Sequence, residues 1–198
     1  MNNKSIVKIS KFLSLVLRHK PETIGIKISE DGWVNVNELI KKFNDYTIFN
    51  NTKLIPINKS ILDEVVDTNN KKRFAYSEDG LSIRASQGHS IDVDLKLTPQ
   101  IPPEFLYHGT AVRFVDAIYK SGGLSKMKRQ HVHLSQEEST AINVGSRHGK
   151  PLILKVKASE MLKDGYKFFL SDNGVWLVDE VPVKYIDGQW ERLNNYDH

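Results

Sequence analysis

The sequence contains no cysteine, and this absence excludes several kinds of site at once. Disulfide bridges, cysteine-bound zinc, iron–sulfur clusters and thiol nucleophiles all require a thiol. A chain without cysteine suits a reducing compartment, so we expect a cytoplasmic protein. The sequence also lacks any apolar run that approaches the ~20 residues needed to cross a bilayer, and its first residues lack the continuous apolar stretch of a signal peptide. We therefore expect no membrane association.

Length and charge set the next limits. The 198 residues suffice for one large domain or two small lobes, and a hydrophobic fraction of 39% can build packed cores. A net charge of +4 permits a nucleic-acid partner without requiring one. Basic clusters at 18–20, 71–73 and 126–129 lie next to the ends of predicted elements. Such clusters serve either as solvated loops or as parts of one anion site, and the sequence leaves both possibilities open.

The first half of the chain has a pattern of helices followed by a hairpin. Apolar residues recur at helical spacing in the first predicted helix, which ends before Pro21. Asn35 and Asn58 are predicted to cap two further helices, since an asparagine side chain can accept from the first free amides of a helix. Strands at 73–77 and 81–85 flank a Glu-Asp-Gly turn, which is a strong hairpin signal. This order of elements suggests a winged helix-turn-helix lobe.

The second half of the chain is richer in strands. Segment 97–104 contains three prolines, which lack the amide hydrogens that a helix or a central strand needs, so we predict a linker there. Ser135 and Glu138 are predicted to form a capping box at the start of a helix. The predicted strands are 105–108, 132–134, 152–156, 167–170, 175–178 and 181–185, with helices at about 111–121 and 136–144. We therefore predict an α+β protein, with an α-rich lobe at 1–96 and a β-rich lobe at 105–198.

Arg18 and His19 stand at the end of the first predicted helix, and two interpretations of this pair stay open. Cations are favoured in the last turn of any helix, where they meet unpaired carbonyls and the negative end of the dipole. A permanent guanidinium beside a titratable imidazole is also suited to gripping a phosphate and moving a proton.

Histidines in the second half are candidates for a ligand cleft. His108 stands at the end of a predicted strand, directly before Gly109, and His131 and His133 share one face of another strand that leads to Ser135. The alternatives are a metal site and an ordinary polar strand face. Because no acidic or thiol ligands stand at useful spacing, we expect no metal.

Six motifs in a fixed order extend this interpretation over nearly the whole chain, from about residue 8 to residue 186. They are Leu17-Arg18-His19-Lys20-Pro21-Glu22, Asp31-Gly32-Trp33-Val34, Lys72-Arg73-Phe74, Ile83-Arg84-Ala85 with Gln87-Gly88-His89-Ser90, Tyr107-His108-Gly109-Thr110, and His131-Val132-His133-Leu134-Ser135. In this order the chain resembles the RNA 2'-phosphotransferases of the KptA/Tpt1 family.

The resemblance implies an NAD-dependent enzyme that removes an internal 2'-phosphate from RNA. It implies a winged-helix N-terminal lobe and a C-terminal lobe like that of ADP-ribosyltransferases. In the implied chemistry, the RNA 2'-phosphate displaces nicotinamide from NAD, and the ADP-ribosylated 2'-phosphate then collapses to ADP-ribose 1'',2''-cyclic phosphate and RNA with a free 2'-hydroxyl. NAD is consumed as a co-substrate, no metal is expected, and we expect a monomer.

The resemblance also assigns residues to these roles. The catalytic set it implies is Arg18, His19, Arg73 and Arg129. The implied NAD cleft contains His108, Gly109, Thr110, His133 and Ser135, with Arg84, His89, Ser90 and Arg147 as further candidates for ligand contact. Arg84 has a second interpretation as the partner of an acidic neighbour on its hairpin, and Arg147 as an ordinary loop cation.

Two other functions remain open at this stage. An ADP-ribosyltransferase acting on nucleic-acid phosphates would use the same NAD lobe. A non-catalytic winged-helix protein would bind nucleic acid and use its second lobe only as a ligand sensor, although such a binder has no need for the histidines of that lobe.

Overall fold

The computed structural model describes residues 3–69 and 71–187 and shows a mixed α/β architecture, which confirms the predicted class. The chain divides into two compact units, 1–96 and 97–198. The outermost residues of the predicted lobes, 1–2 and 188–198, lie outside the described residues.

The described residues of unit 1 form three α-helices and a three-stranded antiparallel sheet. The helices are α1 (Asn3–Arg18), α2 (Val36–Phe49) and α3 (Lys59–Asp67), and the strands are β1 (Val34–Asn35), β2 (Phe74–Tyr76) and β3 (Ser82–Ala85). The sheet order is β1-β3-β2. The hairpin between β2 and β3 is confirmed, since Tyr76 pairs with Ile83 and the turn glycine, Gly80, has a φ of +70°.

Local sequence explains why these helices begin where they do. The Asn35 side chain accepts hydrogen bonds from the amides of Asn37 and Glu38, and that of Asn58 accepts from the amide of Ile61. Both predicted caps are therefore confirmed. In α1, a stripe of residues at helical spacing is fully buried in the core of unit 1, namely Ile9, Leu13, Val16 and Leu17.

Unit 2, described up to residue 187, combines small sheets with three short α-helices. Its helices are α4 (Val115–Lys120), α5 (Glu138–Gly145) and α6 (Ala158–Lys163). Its strands are β4 (Pro99–Gln100), β5 (Leu106–Ala111), β6 (Gly123–Ser125), β7 (Val132–Leu134), β8 (Pro151–Val156), β9 (Phe168–Leu170), β10 (Trp176–Val178) and β11 (Glu180–Pro182). The sheets are β4-β9-β10-β7, β11-β6 and β5-β8, and every pairing is antiparallel.

Several predicted boundaries in unit 2 were wrong. Pro99 and Gln100, placed in a linker, pair with β9 at the edge of its sheet, where a proline's missing amide costs no ladder bond. The predicted strand 181–185 ends at Pro182, because the next three residues form a 3-10 turn. The helix predicted at about 111–121 is a 3-10 turn followed by α4, which begins only at Val115.

Alternation of buried and half-buried residues along β7 positions the candidate histidines. Val132, Leu134, Trp176 and Val178 are buried in the core of unit 2. His131 and His133, at the intervening positions, are only half-buried. The prediction that these two imidazoles share one strand face is therefore consistent with the burial pattern.

Candidate functional site

The C-terminal end of α1 presents Arg18 and His19. The buried stripe of α1 fixes this helix against the core, so its last turn carries Arg18 half-buried at the edge of unit 1. The Arg18 Nη2 donates to the backbone carbonyl of Arg73 at 3.4 Å. His19 is exposed, and its Nδ1 lies 2.8 Å from the Ser90 hydroxyl. The end of α1 and the loop after β3 are thus held together around this pair.

Ser90 makes a second contact with the helix end. Its backbone amide donates to the Arg18 carbonyl at 2.9 Å. The same residue therefore satisfies a terminal carbonyl of α1 and holds the imidazole that follows it. A hydroxyl can donate or accept, so either tautomer of His19 is compatible with this bond.

Arg73 approaches the same region from the start of the hairpin. It stands directly before β2, and its carbonyl accepts from the Ser86 amide at 2.9 Å. Its Nη1 donates to the Asn69 side-chain oxygen at 3.1 Å and approaches the Ser10 hydroxyl at 3.5 Å. Unit 1 therefore brings together three of the four residues assigned to catalysis, Arg18, His19 and Arg73. We refer to these three residues as the Arg–His–Arg cluster.

His89 lies beneath this cluster. Only 1% of its surface is exposed, and neither ring nitrogen has a hydrogen-bond partner within the described residues. Burial, together with the smaller effects of the charges of Arg18, His19 and Arg84, lowers the pKa of His89 from 6.5 to about 4. The ring is neutral at pH 7, and in this structure it exposes almost no surface to a ligand.

Arg84 is engaged with the protein itself. Its guanidinium carbon lies 4.4 Å from the centre of the Trp33 ring. Its Nη1 donates to the carbonyls of Asp31 at 3.4 Å and Leu95 at 3.3 Å. These contacts tie β3 to the loops on either side of it, and these partners lie outside the β2–β3 hairpin.

In unit 2, β5 and β7 place His108 beside His133. Tyr107 and Ser135 exchange two backbone hydrogen bonds of 2.8 Å, which hold the two segments in register. The His108 Nδ1 lies 3.0 Å from the His133 carbonyl. Because a carbonyl only accepts, Nδ1 carries the proton and Nε2 is the acceptor of the neutral ring. Burial lowers the pKa of His108, the charge of Arg129 acts in the same direction, and the bond to His133 opposes both.

Arg129 lies in the turn before β7 and contacts the second histidine. Its Nη1 is 3.0 Å from the His133 Nδ1. A guanidinium only donates, so Nδ1 of His133 accepts and Nε2 carries the proton. Desolvation and the charge of Arg147 lower the pKa of Arg129. The two neighbouring imidazoles therefore present opposite tautomers, one with an acceptor at Nε2 and one with a donor.

The other residues predicted for the NAD cleft take varied positions. A Cβ on Gly109 would lie 1.8 Å from the Ala141 carbonyl oxygen, so the absence of a side chain lets α5 pack directly on β5. Thr110 is buried, Ser135 is half-buried, and Arg147 is exposed in the 3-10 turn after α5.

The predicted capping box at Ser135 was wrong. The N-cap of α5 is Glu137, and no side chain caps it. Ser135 is occupied in backbone pairing with Tyr107, and α5 begins three residues later, at Glu138. The extended pairing therefore takes precedence over the local capping signal.

Sequence reasoning missed Ser10 and Asn69, which contact Arg73. Isolated serines and asparagines in a helix and a loop form no recognisable motif. One signal was available, because Ser10, Ser14 and Arg18 recur at intervals of four along α1 and so share a face of that helix. That polar stripe borders the apolar one.

Within residues 3–69 and 71–187, no three histidine, aspartate or glutamate side chains come together as a set that could hold a metal ion. Among the helices of this part of the chain, none has the length and apolar character required to cross a membrane.

Comparison with known proteins gives consistent results. A family profile described as RNA 2'-phosphotransferase, Tpt1/KptA family, matches residues 4–180. A probable RNA 2'-phosphotransferase of Flavobacterium johnsoniae is 55% identical over 187 residues, which cover 94% of this chain and 98% of that protein. Proteins with the same description from Pectobacterium carotovorum and Nostoc punctiforme are 51% and 50% identical, each over 94% of this chain and over 97% and 98% of their own lengths.

Proposed function

Since this chain belongs to the RNA 2'-phosphotransferase family described as Tpt1/KptA, we propose that it removes an internal 2'-phosphate from RNA with NAD as the consumed co-substrate. The observation that carries the proposal is the Arg–His–Arg cluster of unit 1. Two arginines and a titratable imidazole are held in one part of unit 1, in a chain whose family transfers a phosphate.

The proposed reaction has two balanced steps. In the first, an oxygen of the RNA 2'-phosphate bonds to C1'' of the nicotinamide ribose while the bond to nicotinamide breaks, and the released electron pair neutralises the pyridinium. In the second, the ribose 2''-hydroxyl bonds to phosphorus while the bond to the RNA 2'-oxygen breaks. The proton lost by the attacking hydroxyl matches the proton gained by the RNA oxygen. The products are nicotinamide, ADP-ribose 1'',2''-cyclic phosphate and RNA with a free 2'-hydroxyl.

Arg18 and Arg73 are proposed to bind the 2'-phosphate. Negative charge builds on the phosphate oxygens in the second step, and guanidinium donors stabilise such oxyanions through charge-assisted hydrogen bonds. The family resemblance also assigns Arg129, in unit 2, to catalysis. These cations stay charged throughout the pH range of the reaction, so their contribution is electrostatic.

His19 is proposed to exchange the protons of the second step. An imidazole can take a proton from an attacking hydroxyl and return one to a leaving oxygen near neutral pH. Its hydrogen bond to Ser90 restrains the imidazole ring, which lowers the entropy cost of orienting the ring during the reaction.

Unit 2 is proposed to hold NAD. When bound, NAD supplies the ribose carbon that receives the phosphate and a leaving group that departs as a neutral molecule. His108 and His133 fit ribose hydroxyls, since an acceptor and a donor nitrogen on neighbouring segments can each meet a hydroxyl. Gly109 supports this arrangement indirectly, because its lack of a side chain lets β5, which carries His108, pack closely on α5.

The units also support the finer fold assignment. In unit 1, three helices precede the β2–β3 hairpin and β1 adds a third strand, an arrangement that supports a winged-helix lobe. In unit 2, histidines on neighbouring strand segments support an ADP-ribosyltransferase-like lobe.

The direct test incubates the protein with NAD and an RNA oligonucleotide that carries one internal 2'-phosphate. Release of nicotinamide and ADP-ribose cyclic phosphate is expected. Arg18→Ala and Arg73→Ala should accumulate ADP-ribosylated RNA, because the second step builds the charge that these residues stabilise. Lys11→Ala removes an exposed cation from the middle of α1 and is the matched control.

Each alternative function gives a distinct result in this assay. Folded wild-type protein that binds the RNA without releasing nicotinamide would be a non-catalytic binder. Wild-type protein that stops at ADP-ribosylated RNA would be an ADP-ribosyltransferase. If Lys11→Ala were impaired as much as Arg18→Ala, the phosphate-binding role of Arg18 would be refuted.

A further inference from the structure

A buried polar pair lies between α1 and the loop that precedes β2. Ser10 is 4% exposed and Asn69 is 9% exposed. The Asn69 amide nitrogen donates to the Ser10 hydroxyl at 2.9 Å, although the two residues are 59 positions apart in the chain. Burying polar groups costs free energy unless they are hydrogen-bonded, so this pair calls for a structural or functional reason.

Arg73 connects this pair to the Arg–His–Arg cluster. Its Nη1 donates to the Asn69 oxygen at 3.1 Å and lies 3.5 Å from the Ser10 hydroxyl. Both ends of the Asn69 amide are therefore engaged, the oxygen with the guanidinium and the nitrogen with α1. The backbone of Asn69 is also fixed, because its carbonyl accepts from the Lys72 amide at 2.7 Å.

The chemical type of the partner matters for an anion-binding arginine. A carboxylate at position 69 would hold the guanidinium equally well but would cancel much of its charge. A neutral amide restrains the guanidinium without cancelling its charge. An arginine side chain carries about 2 kcal/mol of rotamer entropy, so restraint before binding reduces the cost of ordering it on the phosphate.

We propose that Asn69 and Ser10 are positioning residues that hold the guanidinium of Arg73 ready for the RNA 2'-phosphate. This proposal rests on the proposed function, since it assigns Arg73 to that phosphate. Ser10 anchors Asn69 to α1, the helix that also carries Arg18. The position of the Arg73 side chain is therefore fixed relative to the same helix as Arg18.

The test is a double-mutant cycle of Asn69→Ala and Arg73→Ala. Asn69→Ala alone should slow conversion of ADP-ribosylated RNA by about tenfold to a hundredfold in single-turnover measurements, the size expected for a misplaced reacting group. In the Arg73→Ala background the same change should alter the rate by less than about twofold, because the residue it positions is gone.

Two further variants separate positioning from folding. Ser10→Ala should act in the same direction as Asn69→Ala but more weakly, and it serves if Asn69→Ala does not fold. Ser14→Ala is the matched control, since Ser14 is on the same helix and its hydroxyl donates to the Ser10 carbonyl at 2.8 Å. Its rate should equal that of the wild type.

The same double-mutant cycle is also measured with the affinity of each variant for the 2'-phosphorylated oligonucleotide in the absence of NAD. This binding measurement needs no turnover. Wild-type protein that binds but forms no product would refute the proposed function, while the binding cycle still decides the role of Asn69. An equal loss from Asn69→Ala in both backgrounds, in rate or in affinity, would show a general effect on the fold and would overturn the positioning role.

Discussion

Acidification should destabilise this protein through His89. The ring is buried without a hydrogen-bond partner in the described part of the chain, and burial lowers its pKa from 6.5 to about 4. Between these two values the unfolded chain binds a proton that the folded chain excludes. Stability is therefore fully present above pH 6.5 and is lost as the pH falls toward 4.

The magnitude follows from the two pKa values. The full difference between 6.5 and about 4 corresponds to about 3 kcal/mol. Applying the linkage relation between pH 7 and pH 5 gives a decrease of about 2 kcal/mol in the free energy of unfolding. Asp63 and Asp79 have pKa values lowered by hydrogen bonds, first from Lys59 and from Ser77, so their contributions are lost only at lower pH.

The assay compares urea unfolding at pH 7 and pH 5 for wild type and His89→Leu. Leucine has a similar volume, and an apolar group is tolerated where no hydrogen bond is made. Between pH 7 and pH 5, the free energy of unfolding of His89→Leu should fall by about 2 kcal/mol less than that of the wild type. His148→Leu, a control at an exposed position, should behave as the wild type. A titration of the His89 ring by nuclear magnetic resonance should give a midpoint near 4. A midpoint near 6.5, or equal losses in wild type and His89→Leu, would refute the reasoning.

Two further predictions concern Ser90 and Gly109. Ser90→Ala removes the 2.8 Å contact with the His19 Nδ1 and should slow the second chemical step about tenfold, while Ser90→Thr, which retains the hydroxyl, should preserve the rate. Single-turnover conversion of ADP-ribosylated RNA measures this, and equal rates for both variants would contradict it. Gly109→Ala places a Cβ 1.8 Å from the Ala141 carbonyl oxygen, so α5 must shift. We expect the free energy of unfolding to fall by about 1–3 kcal/mol and Tm to fall by on the order of 5–10 °C. An unchanged Tm would contradict this prediction, because it would show that α5 shifts without loss of stability.

The elements with strong local signals could be predicted from the sequence. The α1 stripe, the two asparagine caps and the β2–β3 hairpin each depend on a few neighbouring residues whose geometry is fixed by the backbone. The short elements could not. The three residues of β6 and the six of α6 are too few to show a period, and they are stabilised by pairing and packing with distant segments.

The sequence predicts which residue types form the candidate site, and this stays a prediction, but it could not give the contacts between them. Arg18 and Arg73 are 55 positions apart, and only the tertiary fold brings the side chain of one to the backbone of the other. Gly109 shows the same limit. The resemblance places Gly109 in the NAD cleft, and the structure shows that the α5 backbone packs closely against this residue. A glycine at such a position predicts that another group packs closely against the backbone, but the sequence does not identify that group.

The two interpretations of Arg18 can now be compared through the carbonyls at the end of α1. The Leu15 carbonyl accepts from the amides of His19 and Lys20, both at 3.0 Å, and the Arg18 carbonyl accepts from Ser90 at 2.9 Å. Backbone amides thus satisfy these terminal carbonyls without a side-chain cap. The Arg18 guanidinium instead donates to Arg73, away from its own helix. The helix dipole still favours a cation at this position, but that preference would be met equally by lysine. The Arg18 side chain therefore links the end of α1 to the backbone that precedes β2, and this hydrogen bond is not a cap of its own helix.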